Sequence, residues 1–200
     1  MTFLKTFRDL AVAEAANRWG ELYYDLTSEL LQQFPYPDIL EIGVAYGAHA
    51  EKMINIDNCR SYTGVDPYSF NYDISDPFCS DIASSTGFSD QRAMDLLYHY
   101  TSFKLSRYSN CLLFRDSVDQ CRAIKNNTFD FVFIDGDHRK MGCLLDLVIV
   151  EKLIRPGGVV ALDDCSWDSV SAAVKAFADL TGKVINKISN DRYFLYYFQY

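Results

Sequence analysis

The sequence predicts an α/β fold: a doubly wound, mostly parallel sheet with an antiparallel C-terminal hairpin strand. Three observations predict it. From Asp38 to Leu180, short apolar runs alternate with segments of helical spacing, the pattern of linked βα units. Several of those runs end in a glycine turn or an acidic residue, at Gly43, Asp66, Asp116, Asp135 and Asp163, on the sheet edge where open α/β folds bind ligands. Last, Val184–Ile188 and Tyr193–Gln199 are joined by only four residues, which suits an antiparallel hairpin and is too short for a parallel crossover.

The whole chain sets the bounds. Two hundred residues, half of them apolar, suit one soluble globular unit. It divides into an N-terminal helical segment, 1–36, and the α/β region, 37–200. The formal charge of −8 disfavours nonspecific nucleic-acid binding, which depends on cationic contacts to phosphate. No apolar run reaches the ~18 residues of a membrane span, and Lys5, Arg8, Asp9 and Glu14 interrupt any signal-peptide core. The expectation is a cytoplasmic protein with a small-molecule partner. The six cysteines lack C-x-x-C spacing, so reduced thiols are expected and a zinc site is not. Asn126-Asn127-Thr128 matches a glycosylation sequon that has no meaning without secretion.

Taken in order, Thr6 to Phe34 has helical spacing, with Phe7, Leu10, Ala11, Ala15 and Trp19 on one side and Gly20 as a dividing point. Phe34-Pro35-Tyr36-Pro37 ends it. This segment either caps a cleft or packs on the sheet edge. Asp38-Ile-Leu-Glu-Ile-Gly-Val-Ala-Tyr-Gly47 then reads as a buried strand, a glycine turn and a helix start to about Ile56. Its E-x-G-x-x-x-G spacing is not the G-x-G-x-x-G of dinucleotide sites. The missing middle glycine and the acidic Glu41 work against a pyrophosphate and suit a ligand with a positive centre and a ribose. Ser61 to Asp66 is a second strand, and Asp66 stands where such folds place the acid for ribose hydroxyls; a solvated loop aspartate is the plainer alternative. Pro67 to Ser89 shows no period and is expected as a long loop forming a substrate wall or lid. Gln91 to Leu105 returns to helix, with Met94, Leu97 and Tyr98 facing inward.

Cys111 to Arg115 is the third strand. Asp116 is placed to accept from an adenine amino group and Ser117 to cap a following helix; capping alone would also account for both. Phe129-Asp-Phe-Val-Phe-Ile-Asp-Gly-Asp-His138 carries the fourth strand, with Phe131–Ile134 buried and Asp135 at its C-terminal end. A helix from Lys140 to Ile154 is expected, broken by Pro156-Gly157-Gly158, before a fifth strand over Val159–Leu162 that ends in Asp163-Asp164. A helix from Asp168 to Leu180 presents Val170, Ala173, Val174 and Phe177, and Gly182 stops it.

Two neighbouring strands thus deliver Asp135, Asp163 and Asp164 to one edge. Three carboxylates in a low-dielectric crevice repel unless cations or protons intervene. Oxygen ligands of this kind suit Mg²⁺, Ca²⁺ or Mn²⁺, although Asp164 alone would serve as a helix cap. His138, three residues after Asp135, is positioned to take a proton from a substrate hydroxyl or to donate to a backbone carbonyl. His49 and His99 read as packing or surface residues.

In this order the parts resemble the class I S-adenosylmethionine-dependent methyltransferases over about Asp38 to Tyr200. The marks are Glu41-Ile-Gly-Val-Ala-Tyr-Gly47, Asp66, Asp116-Ser117, Phe131-Val-Phe-Ile-Asp135 and Leu153-Ile-Arg-Pro-Gly-Gly158. The resemblance implies a Rossmann-like, seven-stranded sheet and a methyltransferase domain over 37–200. It is nearest to the metal-dependent small-molecule O-methyltransferases of the catechol and macrocin sugar types. Their metal acids carry over to Asp135, Asp163 and Asp164, with Mg²⁺ the expected ion. Catechol-type enzymes have a lysine base where this chain has His138; the sugar-modifying type can have histidine. The resemblance implies adenosylmethionine over Gly43 and Gly47, with Glu41 near its amino-acid end, Asp66 at the ribose and Asp116-Ser117 at the adenine. Asp135 and His138 would be the catalytic pair. Two other readings stand beside this one: a methyltransferase-like module that binds without chemistry, and an oxidoreductase on a related fold, which the absent G-x-G-x-x-G disfavours. The N-terminal helices and the aromatic last strand are available for a homodimer.

Overall fold

A computed structural model describes residues 3–16, 22–56, 58–70, 77–121 and 123–200. Its centre is a seven-stranded sheet in the order β3-β2-β1-β4-β5-β7-β6. The strands are β1 Asp38–Ile42, β2 Ser61–Val65, β3 Cys111–Phe114, β4 Phe129–Ile134, β5 Ile154–Leu162, β6 Asn186–Ser189 and β7 Phe194–Gln199. The first five run parallel, and β7 inserts antiparallel between β5 and β6. The helices are α1 Phe3–Ala16, α2 Tyr24–Leu31, α3 Ala48–Ile54, α4 Phe78–Thr86, α5 Gln91–Leu105, α6 Lys140–Leu153 and α7 Asp168–Thr181. The expected fold class is the observed one.

Side chains of a strand point alternately to its two faces, and both faces of this sheet are apolar. Leu40, Ile42, Val132, Ile134, Val160 and Leu162 pack under α6 and α7. Ile39, Phe131, Phe133, Val159 and Ala161 pack on the other face with α2 and α3. Glu41, one residue out of phase with Leu40 and Ile42, therefore points toward α2 and α3. A third cluster, remote from the strands, joins Leu10, Tyr46, Tyr68, Cys79, Ile82, Met94 and Leu97.

Four expectations are corrected. Pro67–Ser89 is not all loop, because Phe78–Thr86 is helical. Pro77 at its N-cap accepts the Ser80 and Asp81 N–H groups, and the short polar residues hid an apolar face of Cys79 and Ile82. Residues 71–76 of that stretch lie outside the described residues. No α-helix lies between Ser117 and β4 among the described residues; the Ser117 carbonyl accepts from Gln120 and Cys121 in a turn. Pro156 and Gly157 do not separate α6 from its strand, since β5 begins at Ile154. The pairing to β4 jumps from Phe129↔Ile154 to Phe131↔Val159, a bulge that accommodates a proline without a ladder bond. Ala11 and Ala15 are exposed, while Thr6 is buried with Leu10. Trp19 and Gly20 lie outside the described residues.

Gly43 and Gly157 both have positive φ, +85° and +86°, yet their surroundings differ. A Cβ on Gly43 would stand 1.8 Å from the Asp135 carbonyl oxygen, whereas one on Gly157 would meet nothing within 4 Å. Gly157→Ala should cost only the left-handed backbone penalty of about 1–2 kcal/mol. Gly43→Ala adds a backbone clash and should cost roughly 4 kcal/mol or more. Urea unfolding of the two variants measures the difference; equal losses would contradict the close approach of β1 and β4.

Candidate functional site

The ends of β1, β4 and β5 are level: Ile42 pairs with Ile134, and Ile134 with Leu162. The ladder continues one residue further, with Asp135 N–H donating to Ile42 C=O (2.8 Å) and Asp163 N–H to Ile134 C=O (3.0 Å). Gly43, Asp135 and Asp163 thus stand in a row above the sheet. They open into a cavity of about 640 Å³. Glu41, Gly43, Asp66, Asp116, Ser117, Asp135, His138, Asp163 and Asp164 all line it. Gly47 does not; its bare Cα faces Thr101 and Leu105 of α5.

The glycine turn is held by its own side of the cavity. Asp66 Oδ2 accepts the N–H groups of Val44 (3.0 Å) and Ala45 (2.9 Å), and Oδ1 accepts that of Tyr68 (2.7 Å). Gly43 N–H donates to Val65 and Gly47 N–H to Val44. The N–H groups of Gly43, Val44, Ala45 and Gly47 are thus spent and are not offered to a phosphate. Burial raises the Asp66 carboxyl, opposed by its three backbone donors. Asp116 Oδ1 accepts from Ser117 N–H (2.9 Å) while lining the cavity beside Val118.

Glu41 is 2% exposed and fully engaged. Oε1 lies 2.8 Å from His49 Nδ1, and Oε2 accepts from the Tyr62 phenol. His49 Nε2 lies 2.9 Å from Thr27 Oγ1 of α2. His49 is buried and His99 exposed, in keeping with packing and surface positions.

At the other end, His138 Nε2 lies 2.9 Å from Asp164 Oδ2 and 3.6 Å from Asp135 Oδ1. One ligand atom from each of Asp135, His138 and Asp164 falls within 4.8 Å of the others. Asp164 has φ +50°, a left-handed conformation that aspartate tolerates better than most residues. The structure brings these three together and sets Asp163 apart. Asp163 is 6% exposed; its Oδ1 accepts from Asp164 N–H (2.7 Å) and it bonds the Tyr193 phenol. Burial, then Asp135 and Asp164, push its carboxyl well above the usual range. The donor set of one imidazole and two carboxylates fits a divalent first-row ion.

Four neighbours were not singled out from the sequence. Tyr23, at the N-cap of α2, donates to Asp135 Oδ2 (3.3 Å), and Tyr193 donates to Asp164 Oδ1 (3.4 Å). Burial raises both phenols, and the neighbouring acids add to it, so both act as donors. The Trp167 ring lies 4.9 Å from that of His138. Asp146 of α6 also lines the cavity.

A family model described as a methyltransferase domain matches residues 40–165. The chain belongs to that family. It is a methyltransferase of the class I, S-adenosylmethionine-dependent type, which sets the oxidoreductase reading aside. Solved structures share the fold at low identity. A putative methyltransferase from Streptococcus mutans in complex with SAH is 11% identical, with a TM-score of 0.61 over 88% of this chain and 96% of that one. A Corynebacterium glutamicum protein is 15% identical, with a TM-score of 0.59 over 96% and 89%. Aeropyrum pernix fibrillarin, with natively bound S-adenosyl-L-methionine, is 14% identical, with a TM-score of 0.56 over 97% and 76%. No curated protein matches the sequence. Among the described residues no helix is long and apolar enough to cross a membrane.

Asp146 supplies a pH test. Burial, then Asp137 and Asp119, raise its carboxyl to about 7. A folded-state value above the ordinary one penalises the charged form, so stability should fall as pH rises from about 4 to about 7 and level off beyond. Asp146→Asn should remove that fall and gain on the order of 2 kcal/mol at pH 8 relative to pH 5. Thermal melts across this range measure it; parallel pH profiles for the variant and the parent would refute it.

Proposed function

We propose that the chain transfers a methyl group from S-adenosylmethionine to a hydroxyl of a small molecule (a sugar, phenol or natural product), assisted by a divalent ion on Asp135, His138 and Asp164. The observation that carries this is the convergence of those three side chains in the same cavity as the glycine turn. A turn whose Gly43, Val44, Ala45 and Gly47 N–H groups are already bonded suits a cofactor with no phosphate, and the acids around it suit a sulfonium centre. Asp66 keeps one carboxylate lone pair beyond its three backbone donors, facing the ribose position. Asp116 and Ser117 border the adenine position. Glu41 lines the same cavity, with one oxygen at His49 and the other at Tyr62.

A divalent ion, when bound, lowers the pKa of a hydroxyl on it. With His138 Nε2 directed at both carboxylates, its imidazole is a third donor in preference to a free base. That nitrogen shifts the expected ion from Mg²⁺ toward Mn²⁺. The cavity walls would orient the acceptor hydroxyl toward the sulfonium methyl: the O–CH3 bond forms as the S–CH3 bond breaks, S-adenosylhomocysteine leaves and the hydroxyl proton passes to solvent, with much of the rate coming from positioning.

Calorimetry should show adenosylmethionine binding in the micromolar range; no heat up to millimolar ligand would overturn the cofactor assignment. Asp135→Ala and Asp164→Ala should each lower turnover on a panel of hydroxylated acceptors by about 100-fold or more and leave cofactor affinity within about threefold. Stripping with EDTA should mimic them, with Mn²⁺ restoring the parent alone. Turnover that survives EDTA and Asp135→Ala would leave a methyltransferase that needs no metal. Cofactor binding with no turnover on any acceptor would favour a noncatalytic module.

A further inference from the structure

Each of the two carboxylates in the Asp135–His138–Asp164 group has one oxygen facing His138 and one held by a phenol. Asp135 presents Oδ1 to His138 Nε2, while its Oδ2 accepts from Tyr23. Asp164 presents Oδ2 to the same nitrogen, while its Oδ1 shares the Tyr193 phenol (3.4 Å) with Asp163. The phenols come from separate elements, the start of α2 and the hairpin turn just before β7, with ring centroids 6.0 Å apart. Resting on the metal reading above, we propose that Tyr23 and Tyr193 are positioning residues that fix which oxygen of each carboxylate faces the cation. A carboxylate turns about its last torsion with a broad, twofold preference. A donor bonded to one oxygen removes that freedom, and partners of this kind commonly change metal affinity 10–100-fold.

Tyr23 is itself held from behind. Its ring stacks on Phe133 (5.3 Å, 28°) and meets the edge of His49 (5.0 Å, 82°). His49 is also covered by Tyr24 (5.2 Å, 6°), and it joins Glu41 on β1 to Thr27 on α2. Glu41 in turn accepts from Tyr62 on β2. A buried polar relay from β2 through β1, α3 and α2 thus seats the helix that carries Tyr23. Glu41 and His49 serve the acid group at a distance, through the placement of one phenol. Tyr193 is held by Asn190: its N–H donates to the Asn190 side chain (2.8 Å) and its carbonyl accepts from Asn190 N–H (3.0 Å), while the Asn190 amide also donates to Leu22 C=O beside Tyr23 (2.9 Å).

The test titrates Mn²⁺ into the full chain with S-adenosylhomocysteine bound, using calorimetry or the electron paramagnetic resonance of free Mn²⁺. Tyr23→Phe and Tyr193→Phe should each weaken Mn²⁺ binding about 10-fold, and together about 100-fold. Homocysteine-nucleoside affinity should stay within about threefold, and the melting temperature of the metal-free protein should change little. A purely structural role would move the melting temperature and leave the Mn²⁺ affinity alone. His49→Gln should weaken Mn²⁺ binding in the parent and add little to Tyr23→Phe, because both act through the same phenol. Mn²⁺ affinity unchanged in the Tyr23→Phe/Tyr193→Phe double variant would overturn the inference while the metal reading stands. A parent that binds the nucleoside and no Mn²⁺ would overturn both. Should His49→Gln fail to fold, the two phenylalanine variants still decide.

Discussion

Asp135 N–H reaches back to Ile42 C=O, and Asp163 N–H to Ile134 C=O; the candidate site depends on these two hydrogen bonds. They extend the ladder beyond the last regular pairs of β1, β4 and β5, so three chain reversals begin at one level. A side chain placed at any of these reversals enters the same space. The close approach also explains Gly43, where any Cβ would overlap the Asp135 carbonyl. Glycine at one strand end and acids at the next two are therefore consequences of a single alignment.

Burial then separates the acids into roles. Asp163 lies deepest, held by a backbone N–H and a phenol. Asp135 and Asp164 are partly exposed and meet His138. Like charges this close require either protons or a counter-ion, and His138 Nε2 lies between the two outer carboxylates. Glu41 solves the same problem alone, by hydrogen bonding His49 and Tyr62 within the core.

Much of this was legible in the sequence because the signals were local. Apolar runs such as Phe131–Ile134 define strands by themselves, and an acid immediately after such a run must lie at the sheet edge. The composition of the acid group was less legible. Asp163 and Asp164 are adjacent, and periodicity alone does not say which joins Asp135 and His138; in the structure it is Asp164. The helix Phe78–Thr86 was hidden by serine and threonine, whose hydroxyls bond the preceding turn's carbonyls in a way sequence rules count against helices. Tyr23 was out of reach altogether: it lies 112 residues from its Asp135 partner, a pairing that only the packed sheet creates.

The third apolar cluster, built from Leu10, Tyr46, Tyr68, Cys79, Ile82, Met94 and Leu97, shares no residue with the two that sandwich the strands. Tyr46 from this cluster borders the cavity, as do Phe78 and Asp81 on the same side. Exchanges on α1 and α4 would reshape one rim of the cavity, whereas α5 also reaches the layer on the strands through Leu105. Tyr68 ties this cluster to the glycine turn, with its N–H on Asp66 and its hydroxyl on the Ala45 carbonyl, so a change that reshapes this rim is felt at the turn as well.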